Sequence, residues 1–377
     1  MTGYVLTVIF LMSFLIPSIV QENRWSFIEQ CASYATMDAW SYEGTILATG
    51  YGGLHGIRAD WETPRIVAHI RHHPNGRLSP DNRWYAGLEK QVFYSESFNH
   101  LHVTEAIQVY STLDDNIVYS VPWQNSWIQM WGYREIFWLD NEHILYEYSE
   151  DFVHDLEELV SLNPFNETTS SWNASVDILD GGSGFRREYI QFPAPDFSRT
   201  IYYQYNAMQD RHYRALYNVQ TSELLTEFQS PSGAMVAWLP DSSAFAIEIT
   251  VDNAETALAL YDRDGNFIET LFNLESSRIR NPHTIRWSDD GQYLAFQPAQ
   301  STLLIADTLS QRILDTCLTT AESFSWSRDG RQIAFLEPGS GTQNVYIFDM
   351  STWSYRAVAR HLVQTTSQDI LIGWRED

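Results

Sequence analysis

The chain predicts an all-β fold, a single β-propeller of four-stranded antiparallel blades, and three observations lead there. The first is a repeat. Trp287-Ser-Asp-Asp-Gly-Gln-Tyr-Leu-Ala-Phe296 returns as Trp326-Ser-Arg-Asp-Gly-Arg-Gln-Ile-Ala-Phe335, 39 positions later (287 to 326). A period of this size means one supersecondary unit used several times over. The second is the local pattern. His283–Trp287 and Glu322–Trp326 alternate at period two, and the segments after each Asp-Gly are short, apolar and rich in aromatic and β-branched residues. The third is spacing, since about forty residues hold roughly four short strands, the size of one blade.

Within a unit, the pair Asp290-Gly291 or Asp329-Gly330 is expected to supply positive φ for a two-residue hairpin turn. The acidic residue is expected to accept hydrogen bonds from the turn's own backbone N–H groups. Thr302–Ala306 and Asn344–Phe348 then read as further strands, each leading to an Asp, Asp307 and Asp349. Weaker copies lie upstream, at Trp40-Ser-Tyr-Glu43-Gly, at Leu78-Ser-Pro-Asp81-Asn82, at Trp138, at Phe192-Pro-Ala-Pro-Asp and at Trp238-Leu-Pro-Asp241. Seven full units result, with a lone strand at Ile370–Trp374.

A ring must bury the edges of its first and last blades, and the strand at Trp374 is placed to complete the blade begun near the N-terminus. Seven blades are therefore expected. Eight is the alternative, because residues 22–36 can add strands to the final blade. The long gap from 78 to 138 implies an insertion at 98–135, and 161–184 reads as an extended inter-strand loop.

Trp-Ser-x-Asp-Gly-x-x-x-Ala-Phe resembles the repeat of TolB-type, WD-like β-propellers. It lacks the Gly-His and Trp-Asp signatures of intracellular WD repeats. The resemblance is strongest over 283–350 and implies an extracytoplasmic binding or scaffold module, a fold that also serves as the non-catalytic half of prolyl-oligopeptidase-like enzymes. Fold alone does not fix function.

The formal charge is −25, from 48 acidic and 23 basic residues with Lys90 the one lysine. Nucleic-acid binding draws on clustered basic residues, so a phosphate-backbone partner is not expected, and neither is docking on anionic lipid. Residues Tyr4–Val20 form a largely apolar run, read as a signal peptide (1–20) or uncleaved anchor preceding a propeller at 21–377. Cys31 and Cys317 lie on early and late units, and the sequence leaves a disulfide and two free thiols both open.

Candidate chemistry is sparse. Gly181-Gly-Ser183-Gly-Phe and Pro338-Gly-Ser340-Gly-Thr each fail the nucleophile-elbow pattern, so no catalytic residue is assigned. Asp262-Arg-Asp264-Gly265-Asn266 lacks two ligands of a calcium loop and reads as a hairpin turn. His69, His72, His73, His100 and His102 read as solvated, and no metal or cofactor is expected. Trp123, Trp127 and Trp131 share one face in an aromatic-rich stretch that continues through Tyr133 and lies within the expected insertion, which makes these four the candidate ligand platform. The repeat residues Trp40, Asp81, Trp138, Trp238, Asp241, Trp287, Asp290, Gly291, Trp326, Asp329 and Gly330 are read as structural. The functional expectation is an exported, monomeric, non-enzymatic module that binds a protein, peptide or glycan through rim loops. The alternative is a glycan hydrolase or lyase with carboxylates or histidines in the central channel.

Overall fold

The computed structural model describes residues 25–35, 42–50, 53–68, 76–95, 100–114, 116–122, 136–148, 158–171, 192–206, 211–221, 223–231, 235–251, 255–275, 285–298, 302–319, 323–336, 342–363 and 372–376. They form seven four-stranded antiparallel blades with no helix among them, a β-propeller. Blades 2 to 7 begin with the innermost strands Arg77–Leu78, Ile136–Trp138, Phe192–Pro193, Val236–Trp238, Ile285–Trp287 and Phe324–Trp326, and each blade then runs outward in chain order. Blade 1 differs. Its innermost strand is Ile372–Arg375, which pairs antiparallel with Thr45–Gly50, Ile46 opposite Trp374.

This closure is chemically secured. Arg375 is buried (3% exposed), and its guanidinium donates to Thr45 Oγ1 at 3.0 Å, to Thr112 Oγ1 at 3.0 Å and to the Thr112 carbonyl. Asn82 Nδ2 donates to the Trp374 carbonyl at 2.8 Å. The C-terminal strand is thereby fixed to blades 1 and 2 together.

The N-terminal segment lies across the outside of the ring rather than making an eighth blade. Ser26–Glu29 pairs parallel with Arg312–Asp315 as a fifth strand of blade 6, and Ser33–Tyr34 pairs parallel with Ser354–Val363 on blade 7. Trp25 is buried and donates its indole N–H to Glu269 Oε2 of blade 5 at 3.1 Å. Trp353 donates its own indole N–H to the Gln30 carbonyl. The segment thus covers two sheet edges that would otherwise present unpaired N–H and C=O groups. At the corner between its two strands, Cys31 is bonded to Cys317 with Cα atoms 4.8 Å apart, which settles the choice between disulfide and free thiols.

Two sequence readings of loops are corrected. Much of the expected insertion at 98–135 is regular strand. Trp84–Ser95 and His100–Ser111 pair over twelve residues, so the extra chain lengthens one hairpin of blade 2, and Ile117–Pro122 follows as its outer strand. Likewise the first part of 161–184 is a hairpin. Glu158–Asn163 pairs with Thr168–Ser171, and Asn163 Oδ1 accepts the N–H groups of Phe165 and Asn166 in the turn. The signal-peptide or anchor reading of 1–20 lies outside the described residues.

Replacing Cys31 and Cys317 by serine together should lower the unfolding free energy by about 2–4 kcal/mol, because the bond closes a loop across most of the chain. Denaturant unfolding of the double variant beside the oxidised wild type measures this. An unchanged midpoint would mean that strand pairing alone holds the N-terminal segment.

Candidate functional site

The repeat residues prove to be a clamp between neighbouring blades. In blades 3, 5, 6 and 7 the tryptophan ending the innermost strand donates its indole N–H to a main-chain carbonyl on the preceding blade, whereas blades 2 and 4 end that strand in Leu78 and Pro193. Trp138 reaches Arg77 at 3.1 Å, Trp238 reaches Phe192 at 3.0 Å, Trp287 reaches Ala237 at 3.0 Å and Trp326 reaches Arg286 at 3.0 Å. Trp374, at the seam, donates instead to Glu43 at 2.9 Å. Trp40 lies outside the described residues.

The turns follow one plan, which corrects the two-residue hairpin reading. In blade 6 Gly291 N donates to the Ser288 carbonyl at 2.8 Å, and Ser288 N donates to the Tyr293 carbonyl. This is a four-residue turn with positive φ at Gly291 (69°) and not at Asp290. Ser288 Oγ donates to Asp290 Oδ1 (2.6 Å) and accepts from Tyr293 N (3.0 Å), while Asp290 Oδ1 also accepts from Gln292 N (3.0 Å). Ser327 and Asp329 repeat the arrangement around Gly330, as do Ser79 and Asp81 around Asn82. Asp241 accepts from Ser243 Oγ and N, which holds its carboxyl below the usual range. The expectation that these carboxylates serve their own turns stands. Where Gly is absent, Asn82, Phe197 and Ser242 take the left-handed conformation themselves.

The turns also touch around the ring, with Asp81 N donating to Asn141 Oδ1 and Asp196 N to Ser242 Oγ, both at 3.0 Å. Asp262 accepts from Asp264 N and Asn266 N within the hairpin joining Thr256–Asp262 to Phe267–Glu275, the turn expected there.

Where the innermost strands of five blades meet, a cavity of about 740 Å³ opens at the mouth of the central channel. Most of its charged residues come from two offsets of the repeat. The residue before the tryptophan position gives Arg77 and Arg286 on opposite sides of the ring, with Ser325 between them in ring order. Two residues after it come Pro80, Asp289, Arg328 and Glu376. These variable members line the space together with the motif's own Ser79, Asp81, Trp287, Trp326 and Trp374.

The cavity is charged. Arg328 pairs with Glu376 at 2.6 Å, and Arg83 lies 3.8 Å from Asp81. Arg286 is half-buried in the channel lining. Burial, with the Arg77 charge adding to it, brings its pKa down to about 10, and no carboxylate offsets the effect. Asp289 lines the cavity, and its partial burial in the crowded mouth holds its carboxyl above the usual range. Arg328 opposes that shift, and Asp290 and Glu376 add to it. The Arg328–Glu376 pair is also a wall of a second depression, about 920 Å³, between blades 7 and 1, lined further by Arg58, Asp60 and Arg331.

The sequence-predicted platform, Trp123, Trp127, Trp131 and Tyr133, lies outside the described residues, as do His69, His72, His73, Ser183 and Ser340. His100 and His102 fall on the long strand of blade 2. Sequence reasoning missed Arg77, Arg286, Asp289 and Arg328. The available signal was that they occupy equivalent repeat positions with residues no blade needs.

No family model matches the chain, and no curated protein matches its sequence. Solved structures do resemble it. A candidate 6-phosphogluconolactonase from Bacteroides uniformis superposes with a TM-score of 0.50 at 12% identity, covering 88% of this chain and 99% of that one. An uncharacterized protein from Listeria monocytogenes gives 0.49 at 10% identity, over 91% and 98%. TolB from Acinetobacter baumannii gives 0.28 at 13% identity, over 78% and 83%. At such identities the likeness speaks to the fold alone.

Replacing Trp287 with Phe should cost about 1–2 kcal/mol, because the Ala237 carbonyl loses its indole donor while most of the ring volume stays. Chemical denaturation reads the change. A loss below about 0.3 kcal/mol would show that packing, not the hydrogen bond, joins the blades.

Proposed function

We propose that this propeller is a non-enzymatic binding module whose ligand enters the mouth of the central channel. One observation carries this reading: residues from four blades converge on a single cavity through two variable positions of the repeat. A volume of about 740 Å³ is of the size that ligand pockets have. It admits a saccharide or the end of a peptide. We further propose that the chain is exported and acts as a monomer, with a protein, peptide or glycan as partner and neither nucleic acid nor lipid surface. The apolar run at Tyr4–Val20 supports export, and so does the Cys31–Cys317 bond, since disulfides persist in oxidising compartments. The Trp-Ser-x-Asp-Gly motif is what supports a place among TolB-type repeats.

A second reading, a hydrolase or lyase working in the channel, draws on Asp289. A carboxyl held above its usual range beside a second carboxylate, Glu376, is the arrangement a general acid needs. The fold accommodates either reading.

Glycan-array and pull-down screening of the full chain tests the proposal, beside Pro80→Trp, which places a bulky ring at an exposed position of the mouth, and a Trp123/Trp127/Trp131 triple alanine variant. Capture should fall at least about tenfold in Pro80→Trp and persist in the triple variant. The opposite outcome would move the site to the aromatic stretch. The enzymatic reading expects turnover of a captured glycan that falls in Asp289→Asn with binding retained. A captured glycan recovered intact rejects it.

A further inference from the structure

We infer that the channel site recognises an oxyanion, a carboxylate or phosphate carried on a small ligand, with Arg286 and Arg77 as its receptors. This rests on the channel mouth being the ligand site and names the chemistry that site selects.

A guanidinium withdrawn from bulk water is normally matched by a carboxylate, because an uncompensated buried charge is strongly unfavourable. Arg286 departs from this. It sits half-buried on the innermost strand of blade 6, lines the channel mouth, and has no ion-pair partner among the described residues. The charge it feels is another cation, Arg77 from blade 2. The chain has more than twice as many acidic as basic residues, 48 against 23, so the absence of a matching carboxylate is not for want of supply.

The acids that line the cavity are engaged elsewhere. Asp81 Oδ1 is held by Ser79 Oγ and Arg83 N in its own turn, and Glu376 is held by Arg328. Asp289 interacts with Arg328, Asp290 and Glu376. Arg286 therefore faces a space of about 740 Å³ with its fork-like N–H groups, the geometry that takes carboxylate or phosphate in paired hydrogen bonds, and Arg77 adds a second positive charge to the lining of that space. Both stand at the same repeat offset, immediately before the tryptophan position. The backbone frame that aims one across the channel also aims the other from the opposite side. An anion bound between them would relieve the like-charge repulsion and supply the counter-charge that Arg286 lacks.

The experiment uses the full chain, with thermal unfolding and calorimetry as readouts and sodium chloride at matched ionic strength as reference. Inorganic phosphate and glucuronate should each raise the midpoint above the chloride reference, and uncharged glucose should not. Which of the two acts at lower concentration tells phosphate from carboxylate as the natural group. Arg286→Gln and Arg77→Gln should each weaken the effect about tenfold or more. Ligand-free Arg286→Gln should unfold at or above the wild-type midpoint, because the substitution removes an uncompensated charge. If Arg286→Gln fails to fold, Arg77→Gln carries the same test. The inference is overturned if neither anion stabilises the wild type beyond chloride, or if both variants respond as the wild type does. Should the anions fail while Pro80→Trp still abolishes capture of a screened ligand, the oxyanion is wrong and the channel-mouth site stands. Loss of anion binding in the arginine variants with screened ligands indifferent to Pro80→Trp would leave an anion site and remove the wider reading.

Discussion

The hydrogen bond from the tryptophan indole of one blade to the main chain of the blade before it, made in blades 3, 5, 6 and 7, is the constraint on which the rest of the molecule depends. A β-blade buries its faces against its neighbours through apolar contacts such as those joining Trp287, Ala237, Leu258 and Phe296, and such contacts have little direction. The indole bond has both direction and length. From Trp138, Trp238, Trp287 and Trp326 it repeats at 3.0–3.1 Å. It therefore sets the height and tilt of one blade against the next, and the innermost strands end at one level. The turns are brought side by side at that level, which allows Asp81 to meet Asn141 and Asp196 to meet Ser242.

That constraint explains how much of the fold is legible in the sequence. A tryptophan, a serine and an aspartate at fixed spacing leave a strong signal because they act separately, as clamp, turn donor and turn acceptor. The seven units and the closing strand at Trp374 can be read for this reason. The turn type cannot, since Asp-Gly suits both a two-residue hairpin and the longer turn found. The choice is made by Ser288 Oγ and Ser327 Oγ, which cap the longer form. The outer strands are harder still. Ser26–Glu29 and Ser33–Tyr34 are exposed and pair parallel on existing sheets, so neither apolar periodicity nor a hairpin turn announces them.

The site is less legible, and the reason is geometric. Arg77 and Arg286 are more than two hundred positions apart, and only closure of the ring sets them across one channel. In a linear reading an arginine before a tryptophan looks like the polar partner in an alternating strand. Placing the repeats in a ring turns the same offset into a lining position. The aromatic residues at 123–133 stand out because bulk is visible in sequence, whereas convergence is not. Motif residues and site residues occupy adjacent positions of one repeat and do different work.

A net charge of −25 would seem to repel any anion from this molecule, and composition alone favours a cationic partner. That repulsion weakens on the scale of the site. Exposed charges are screened within about 8 Å at physiological ionic strength, so most of the acidic surface exerts little force at the channel floor. At the channel mouth Arg286 and Arg77 are half-buried and act at close range, where screening is weaker than between exposed charges. The acidic exterior and the basic interior then serve separate ends. On the proposed reading the former disfavours polyanionic partners and the latter selects what has come within reach of the mouth. Asp289, Arg328 and Glu376 stand at that entrance with both signs of charge, so the passage from surface to channel runs through a mixed field rather than an acidic one.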